Sequence, residues 1–266
     1  MCGIAGYSLD VRSGLDRTLA AQALLAGIAE RGADAVGYAY RVVGSSAVTV
    51  SKQRTGASAL LDQIRVPHDA TDALLHVRDY TKGHPSIEAN NHPIRHGAVV
   101  GIHNGLIVND DDLFELHGID RATPEMTVDS EIIFALAERS RGRTAAALEE
   151  LRGALATAWL DEERPELVLA RGTCRPLWIG TGSEGLFFAS TKAALEVVET
   201  FLHVRLRKRE VAEGTLLGVV GGRIVHDEHF RPDVRFVEDN PLPAVRAPHE
   251  SATCLRALAA VAAAAA

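Results

Sequence analysis

The sequence predicts an α+β fold in which two sets of strands are stacked and covered by helices. Apolar residues recur at helical spacing between residues 19 and 28, which is typical of a helix with a buried face. The segment Ala98–His103 is apolar through most of its length, as in a strand buried on both faces. The second half of the chain has short apolar runs separated by glycine turns such as Gly221-Gly222, which indicate hairpins.

The first half mixes strands and helices. Gly32 is expected to end the first helix, and Gly118 can end a later one. That later helix begins with three aspartates, and negative charge is favoured at a helix N-terminus; this acidic run is interpreted as a solvated helix start rather than a cation site. The predicted elements are strands at Gly3–Leu9, Ala47–Ser51 and Ala98–His103, and helices over about 15–31, at Asp110–Leu116, from about Asp129 and over about 143–152.

The second half is mainly β. One helix is expected in it, over Lys192–Glu199. The basic cluster of Arg205, Arg207, Lys208 and Arg209 is interpreted as exposed charge that protects a strand from edge pairing. The predicted strands are Ala154–Leu160, Leu167–Arg171, Pro176–Ile179, Leu186–Ser190, Leu216–Val220 and Arg223–Val225.

The composition changes near Asp239, so residues 2–238 are predicted to form one folded domain and residues 239–266 a proline-containing linker with an alanine-rich tail. Ser251 can cap a helix in this tail. A frayed or disordered end is the favoured expectation. The alternative is a helix that docks on a partner through Leu255, Leu258 and Val261.

Charge and composition exclude several classes of protein. The formal net charge of −7 argues against nucleic-acid binding. Three cysteines without a CxxC pair favour a reducing cytoplasm over a disulfide framework. No apolar run has membrane-spanning length and no secretory leader is visible, so a cytoplasmic protein is expected. The spacing of His84, His92, His96 and His103 matches no zinc pattern, and neither a metal nor a cofactor is expected.

Cys2 follows the initiator methionine directly, in Met1-Cys2-Gly3-Ile4-Ala5-Gly6. If Met1 is removed, Cys2 carries both a thiol, with a reference pKa near ~8.5, and an α-amine, with a reference pKa near ~7.7–8.0. The amine can then accept the proton of the thiol, because terminal amines activate nucleophiles in this way. The pattern predicts an N-terminal cysteine nucleophile, although many proteins have cysteine at this position by chance.

Five motifs in order resemble those of the class II glutamine amidotransferases, which are N-terminal-nucleophile hydrolases. They are Cys2-Gly3-Ile4-x-Gly6, Arg31-Gly32-x-Asp34-x-x-Gly37, His76-x-Arg78-x-x-Thr81-x-Gly83, His103-Asn104-Gly105 and Asp129-Ser130-Glu131. The likeness extends from Cys2 to about Val225. The stretch from Gly83 to Pro93 is most similar to the amidotransferase domain of hexosamine-phosphate synthases, with one extra residue between Ser86 and His92. The resemblance implies a four-layer αββα sandwich.

The same resemblance implies roles for nine residues. Cys2 would attack the side-chain amide of glutamine, and the Asn104 side chain with the Gly105 backbone N–H would hold the oxyanion. Arg78 would pair with the α-carboxylate of glutamine, and Asp129 would pair with its ammonium group. The remaining expected site residues are Thr81 as an added hydroxyl contact, and Arg31, Asp34 and His103 as supports.

Two residues depart from the hexosamine branch. Asp79 stands where a large aromatic residue is expected, and Lys82 stands where a histidine is expected. Both lie on the loop that should close over glutamine, so the departures concern how this lid communicates with an acceptor site.

The implied activity is hydrolysis of glutamine to glutamate and ammonia through a Cys2 thioester, with the ammonia passing to a separate acceptor synthetase. About forty residues follow the catalytic part, too few for a second core. Two alternatives stay open: a stand-alone hydrolase of another γ-glutamyl amide, and a catalytically silent module that binds glutamine.

Overall fold

A computed structural model describes residues 1–239 and 243–265, with only the backbone described for 262–265. The α-helices in this part of the chain are α1 (Arg17–Ile28), α2 (Ala57–Leu61), α3 (Asp110–His117), α4 (Glu131–Arg139), α5 (Thr144–Leu148), α6 (Lys192–Leu202) and α7 (Pro248–Ala265). The strands are β1 (Gly3–Leu9), β2 (Ala35–Val42), β3 (Val48–Gln53), β4 (Ala70–Arg78), β5 (Ile94–His96), β6 (Val99–Ile107), β7 (Gly153–Asp161), β8 (Leu167–Arg171), β9 (Trp178–Gly182), β10 (Gly185–Ala189), β11 (Arg207–Glu210), β12 (Thr215–Val220) and β13 (Arg223–His229).

The strands form two sheets with antiparallel pairing between neighbours. One sheet has the order β11-β9-β10-β1-β4-β2-β3, and the other has the order β13-β12-β8-β7-β6-β5. Strands β1 and β4 lie at the centre of the first sheet, although about sixty residues separate them in sequence. The N-terminal end of the chain is therefore held in the middle of a sheet.

Three apolar clusters define the layers. The first packs α1, α2, α6 and α7 on the outer face of the first sheet, through residues such as Tyr7 and Leu75. The second packs α3, α4 and α5 on the outer face of the second sheet. The third lies between the sheets and joins side chains such as Ile4 and Phe188 to Ile102. This architecture confirms the expected αββα sandwich.

Side-chain alternation decides which residues of the central strands reach the space between the sheets. In β1 and β4, Ala5 and Val77 belong to the helix-facing cluster, while Ile4 and Leu74 belong to the cluster between the sheets. Successive residues of a strand point to opposite faces, so Arg78 lies on the same face as Leu74. The polar end of β4 therefore faces the second sheet rather than the helices.

Sequence patterns missed β2, β4, β5, β11 and α2. In β4, the buried polar residues Asp72, His76 and Arg78 interrupt the apolar run, which obscures its reading as a buried strand. The basic residues Arg207 and Arg209, expected to protect a strand, are exposed on the edge strand β11 itself. Most of the other predicted strands and helices agree with the structure to within a few residues.

The expectation of a frayed C-terminal end is wrong for the part of α7 whose side chains are described. Cys254 and Leu258 are buried in the cluster that also contains α1, and the Ser251 hydroxyl donates to the Ala26 carbonyl at 3.4 Å. The helix begins at Pro248, before the predicted cap Ser251. An isolated alanine-rich helix is only marginally stable in water. The packing of the apolar face of α7 against the domain therefore orders this end of the chain. Of the predicted linker, residues 240–242 with Pro241 lie outside the described residues, as does Ala266.

Among the described residues, we find no helix with both the length and the apolar character needed to cross a bilayer.

Replacing Leu258 tests the packing of α7. Leu258→Ala is expected to lower the free energy of unfolding by about 2–5 kcal/mol, because it removes a buried side chain from a packed cluster. The measurement is urea-induced unfolding of the full chain. Val261→Ala is the matched control, since Val261 is 48% exposed, and it should change stability by no more than about 0.5 kcal/mol. Equal small effects of both substitutions would contradict the packed helix.

Candidate active site

The candidate site is built where the ends of β1, β4 and β6 meet between the sheets. Gly3 of β1 pairs with Val77 of β4, so Cys2 lies beside the end of β4 where Arg78 and Asp79 follow. The Cys2 Sγ is 3.4 Å from the Asp79 carbonyl oxygen and 3.5 Å from the Asp79 backbone nitrogen. Backbone pairing thus fixes the position of the thiol.

A small cavity of about 10 Å³ lies next to this thiol, which is about the room of one water molecule. Six of the nine expected site residues line it: Cys2, Arg78, Thr81, His103, Gly105 and Asp129. Arg31, Asp34 and Asn104 are not among the residues that line it. The residues that line the cavity without an expected role are Asp79, Tyr80, Lys82, His92, Val128 and Ser130. A ligand as large as an amino acid requires this site to widen.

The Cys2 thiol is half-buried and experiences opposing effects. Burial raises the pKa of the Cys2 thiol, while the backbone N–H of Asp79 and the charge of Arg78 lower it. The thiol therefore needs a base in contact with it to become nucleophilic at neutral pH.

Arg78 is 2% exposed and supports the loop that follows it. Its guanidinium donates to Asn91 Oδ1 at 2.6 Å and to the Lys82 carbonyl at 2.9 Å, and also to the Gly83 carbonyl. Sequence reasoning gave Asn91 no role. The one sequence feature that could have indicated a role for Asn91 is its position between the motif that contains Arg78 and the His92-Pro93 pair. The hydrogen bond from Arg78 to Asn91 orients the guanidinium.

Asp129 provides a negative charge on the opposite wall. Its Oδ2 accepts a hydrogen bond from the Ile107 backbone N–H at 2.7 Å, which ties the carboxylate to the end of β6. Burial raises the pKa of Asp129 to about 6. At pH 7 the group is mainly ionised and suited to an ammonium ligand.

Asn104 and Gly105 lie on β6, beside the thiol. The Asn104 side chain is fully buried, and neither of its polar atoms has a hydrogen-bond partner among the described residues. Buried unpaired amides are rare and call for an explanation. At Gly105 a Cβ atom would lie 1.9 Å from the Ala154 carbonyl oxygen and 2.4 Å from His103 Nε2, so only glycine fits this position.

His103 connects the strand β6 to the segment that contains Asp129. Its Nε2 is 3.2 Å from the Ala154 carbonyl oxygen, and its Nδ1 is 2.9 Å from the Ser130 hydroxyl. A carbonyl only accepts, so Nε2 carries the proton and Nδ1 accepts from Ser130. Burial lowers the pKa of His103 to about 3, so the ring is neutral. His76, another buried ring, donates from Nε2 to the His103 carbonyl at 3.0 Å and so joins the two sheets.

Arg31 and Asp34 hold the backbone around the thiol. Arg31 is 2% exposed and donates from Nε to the Cys2 carbonyl at 2.8 Å. Asp34 donates its backbone N–H to the Arg78 carbonyl and accepts from the Tyr80 backbone N–H. Both residues thus contact the backbone beside the thiol, and neither lines the cavity.

The two unexpected loop residues are both anchored. The Asp79 carboxylate contacts the Met1 ammonium and the Arg246 Nε. Lys82 Nζ lies 2.7 Å from Asp110 and 2.9 Å from Asp111 at the start of α3. The interpretation of the acidic run as a solvated helix start is therefore wrong for Asp110, which is 2% exposed. Its charge is neutralised by Lys82 and also by Arg121.

Comparison of the sequence with known families places residues 80–197 in a family described as a glutamine amidotransferase domain. The glutamine–fructose-6-phosphate aminotransferase (isomerizing) of Escherichia coli O6:H1 is 33% identical over 227 residues, covering 81% of this chain and 36% of that protein. The protein of the same name from Vibrio vulnificus is 31% identical over 204 residues, covering 67% of this chain and 33% of that protein. The chain thus spans about a third of the length of the curated relatives it matches.

Among solved structures, the glutamine phosphoribosylpyrophosphate amidotransferase from B. subtilis superposes with a TM-score of 0.68 at 22% identity. The match covers 86% of this chain and 49% of that one. At this identity the likeness concerns the fold alone.

Lys82→Met tests the attachment of the loop to α3. The substitution removes the ion pairs with Asp110 and Asp111, so amides of residues 79–83 are expected to exchange with solvent about fivefold to tenfold faster. Hydrogen–deuterium exchange with mass spectrometry measures this. Lys192→Met is the matched control, because Lys192 forms its exposed ion pair with Glu196, within α6 and not with the loop. Unchanged exchange in Lys82→Met would show that the pairs do not hold the loop.

Proposed function

The chain carries a class II glutamine amidotransferase domain, and we propose that it uses Cys2 to hydrolyse the side-chain amide of glutamine to glutamate and ammonia. The observation that carries this proposal is the lining of one cavity. It combines the Cys2 thiol, the backbone of Gly105, and the opposite charges of Arg78 and Asp129.

Before the reaction, removal of Met1 gives Cys2 a free α-amine. The amine takes the proton of the thiol as Sγ bonds to the amide carbon of glutamine. The same amine then gives a proton to the leaving nitrogen, the C–N bond breaks, and ammonia departs to leave a thioester on Cys2. A water molecule attacks the thioester with the amine again as base, and glutamate and the free thiol result.

The tetrahedral intermediate needs donors for its oxyanion. The buried Asn104 NH2 group is unpaired among the described residues, and the Gly105 backbone N–H follows it on the same strand. Donors that are fixed before the reaction need no reorganisation, and each lowers the activation free energy by about 3–4 kcal/mol. The antiparallel pairing of β6 with β7, with Gly105 opposite Leu155, keeps this backbone in place.

The charges of the cavity suit the two ends of free glutamine. Arg78 supports a planar pair with a carboxylate, and Asp129 supports contact with an ammonium group. Thr81 lies at the mouth and adds a hydroxyl. The loop of residues 79–83 forms part of the wall, so its movement widens the site to admit the substrate.

The released ammonia is proposed to pass to a separate acceptor enzyme. The curated relatives of this chain are named as aminotransferases that act on fructose 6-phosphate, and they are about three times as long as the matched part. The groups that line the cavity beside Cys2 suit the two charged ends of the amide donor.

Ammonia and glutamate release from glutamine by the untagged protein tests the reaction, with the mass of the N-terminus measured to establish that Cys2 is the first residue. Cys2→Ala should lower turnover by at least about 10³-fold, and Asn104→Ala by about 10²–10³-fold in kcat. A glutamyl adduct on Cys2 would demonstrate the thioester. Faster release from a γ-glutamyl alkylamide than from glutamine would favour the alternative hydrolase, and binding of glutamine without release would favour a silent module.

The pH dependence of KM tests the role of Asp129. The pKa of Asp129 is raised to about 6, so the carboxylate that would hold the substrate ammonium is lost as the pH falls through 6. KM for glutamine should therefore rise about tenfold per pH unit below that value. Steady-state kinetics between pH 5 and 8 measure this, and Asp129→Asn should show a high KM that no longer changes over the range. A flat KM in the wild-type protein would remove the assignment.

A further inference from the structure

The C-terminal segment Pro243–Ala247 lies against the end of the chain that bears the nucleophile. The Arg246 Nε is 3.3 Å from Asp79 Oδ1, and the Pro243 carbonyl accepts from the Met1 ammonium at 3.4 Å. The backbone N–H groups of Arg246 and Ala247 both donate to the Glu30 carbonyl at 2.8 Å. This segment therefore contacts both the chain near Glu30 and the loop that begins at Asp79.

Asp79 is the point at which these contacts meet. Its backbone atoms lie on the Cys2 Sγ, one carboxylate oxygen contacts the Met1 ammonium, and the other contacts Arg246. The residue is only 7% exposed. Burying a carboxylate is costly unless its charge is paired, and the Arg246 guanidinium is such a partner beside the chain terminus.

We propose that Asp79 and Arg246 form a positioning pair that orients the α-amine of Cys2, so that the C-terminal segment is part of the active centre. The inference rests on the proposed function. An activated nucleophile commonly has a base that is itself oriented by a third group, and here thiol, amine and carboxylate would form that series.

The chemistry balances without a further reactant. When the α-amine accepts the thiol proton it becomes an ammonium ion, and its charge is then paired with the Asp79 carboxylate. Removal of Met1 places the new terminus one residue, about 3.8 Å between Cα atoms, from the ammonium that Asp79 contacts in the unprocessed chain. Arg31, which holds the Cys2 carbonyl at 2.8 Å, limits how far this end can move.

Other charged groups around the terminus have their own partners. Arg78 is held by Asn91 and by the loop carbonyls, and Asp34 accepts from the Tyr80 backbone. Asp129 is on the opposite wall and accepts from Ile107. Among the described residues, the carboxylate in contact with the terminal ammonium is that of Asp79.

The test compares four variants prepared with Cys2 as the verified first residue. Asp79→Asn is expected to lower kcat for ammonia release about tenfold or more, with KM changed less than about twofold because Asp79 does not hold the substrate. Asp79→Glu should recover part of the loss. Arg246→Ala should lower kcat about threefold to tenfold, and the double variant should be no slower than Asp79→Asn, since coupled residues are not additive.

One further readout and one control variant separate positioning from folding. The rate at which iodoacetamide alkylates Cys2 at pH 7 should fall in Asp79→Asn in proportion to kcat, because alkylation reports the thiolate without glutamine. Arg256→Ala, an exposed change on the helix α7 that follows this segment, is the control and should match the wild type. A low kcat in Asp79→Asn with unchanged alkylation, or a kcat within twofold of wild type, would overturn the positioning pair.

The two proposals fail in different ways. Wild-type protein with a free Cys2 that releases no ammonia from glutamine would contradict the proposed function. Active wild-type protein in which Arg246→Ala has no effect on kcat or on alkylation would contradict the role of the C-terminal segment alone. Because Arg246 is 46% exposed, its replacement by alanine should not unfold the domain. The Arg246→Ala variant therefore tests the positioning pair even if Asp79→Asn folds poorly.

Discussion

The antiparallel pairing of β1 with β4 is the constraint on which the candidate site depends. Gly3 opposite Val77 puts Cys2 beside Arg78 and Asp79, and a shift by one residue would turn every side chain of β1 to the other face of the sheet. Ile4, packed between the sheets, and Tyr7, packed under the helices, oppose such a shift. The hydrophobic core thus specifies the location of the thiol.

The second sheet completes the site through polar links. His76 on β4 donates to the His103 carbonyl on β6, and His103 bonds to Ser130 beside Asp129. These buried rings are neutral at physiological pH because burial lowers the pKa of each to about 3. They join β4 of the first sheet to β6 of the second without adding charge near the thiol.

The two residues that depart from the hexosamine branch acquire a common explanation. Asp79 and Lys82 lie at the two sides of one loop, and each forms ion pairs with a separate part of the chain. Asp79 connects the loop to Met1 and Arg246, and Lys82 connects it to the start of α3. Where an aromatic residue and a histidine are expected, this chain has two charged residues, and their ion pairs restrain the loop.

The sequence by itself determined the strands β1 and β8, the helix starts of α3 and α6, and the set of residues expected near Cys2. Local periodicity and ordered motifs carry that information, because they depend on neighbours in the chain. Only the tertiary structure decided that β4 is a central strand, that Asn91 orients Arg78, and that Arg246 lies against Asp79. These features depend on contacts between residues far apart in sequence, where burial of Arg78 and pairing of Asp79 overrule the patterns that mark such residues as exposed. The order of the C-terminal helix also depends on distant contacts, since Leu258 is buried in a cluster that contains residues of α1.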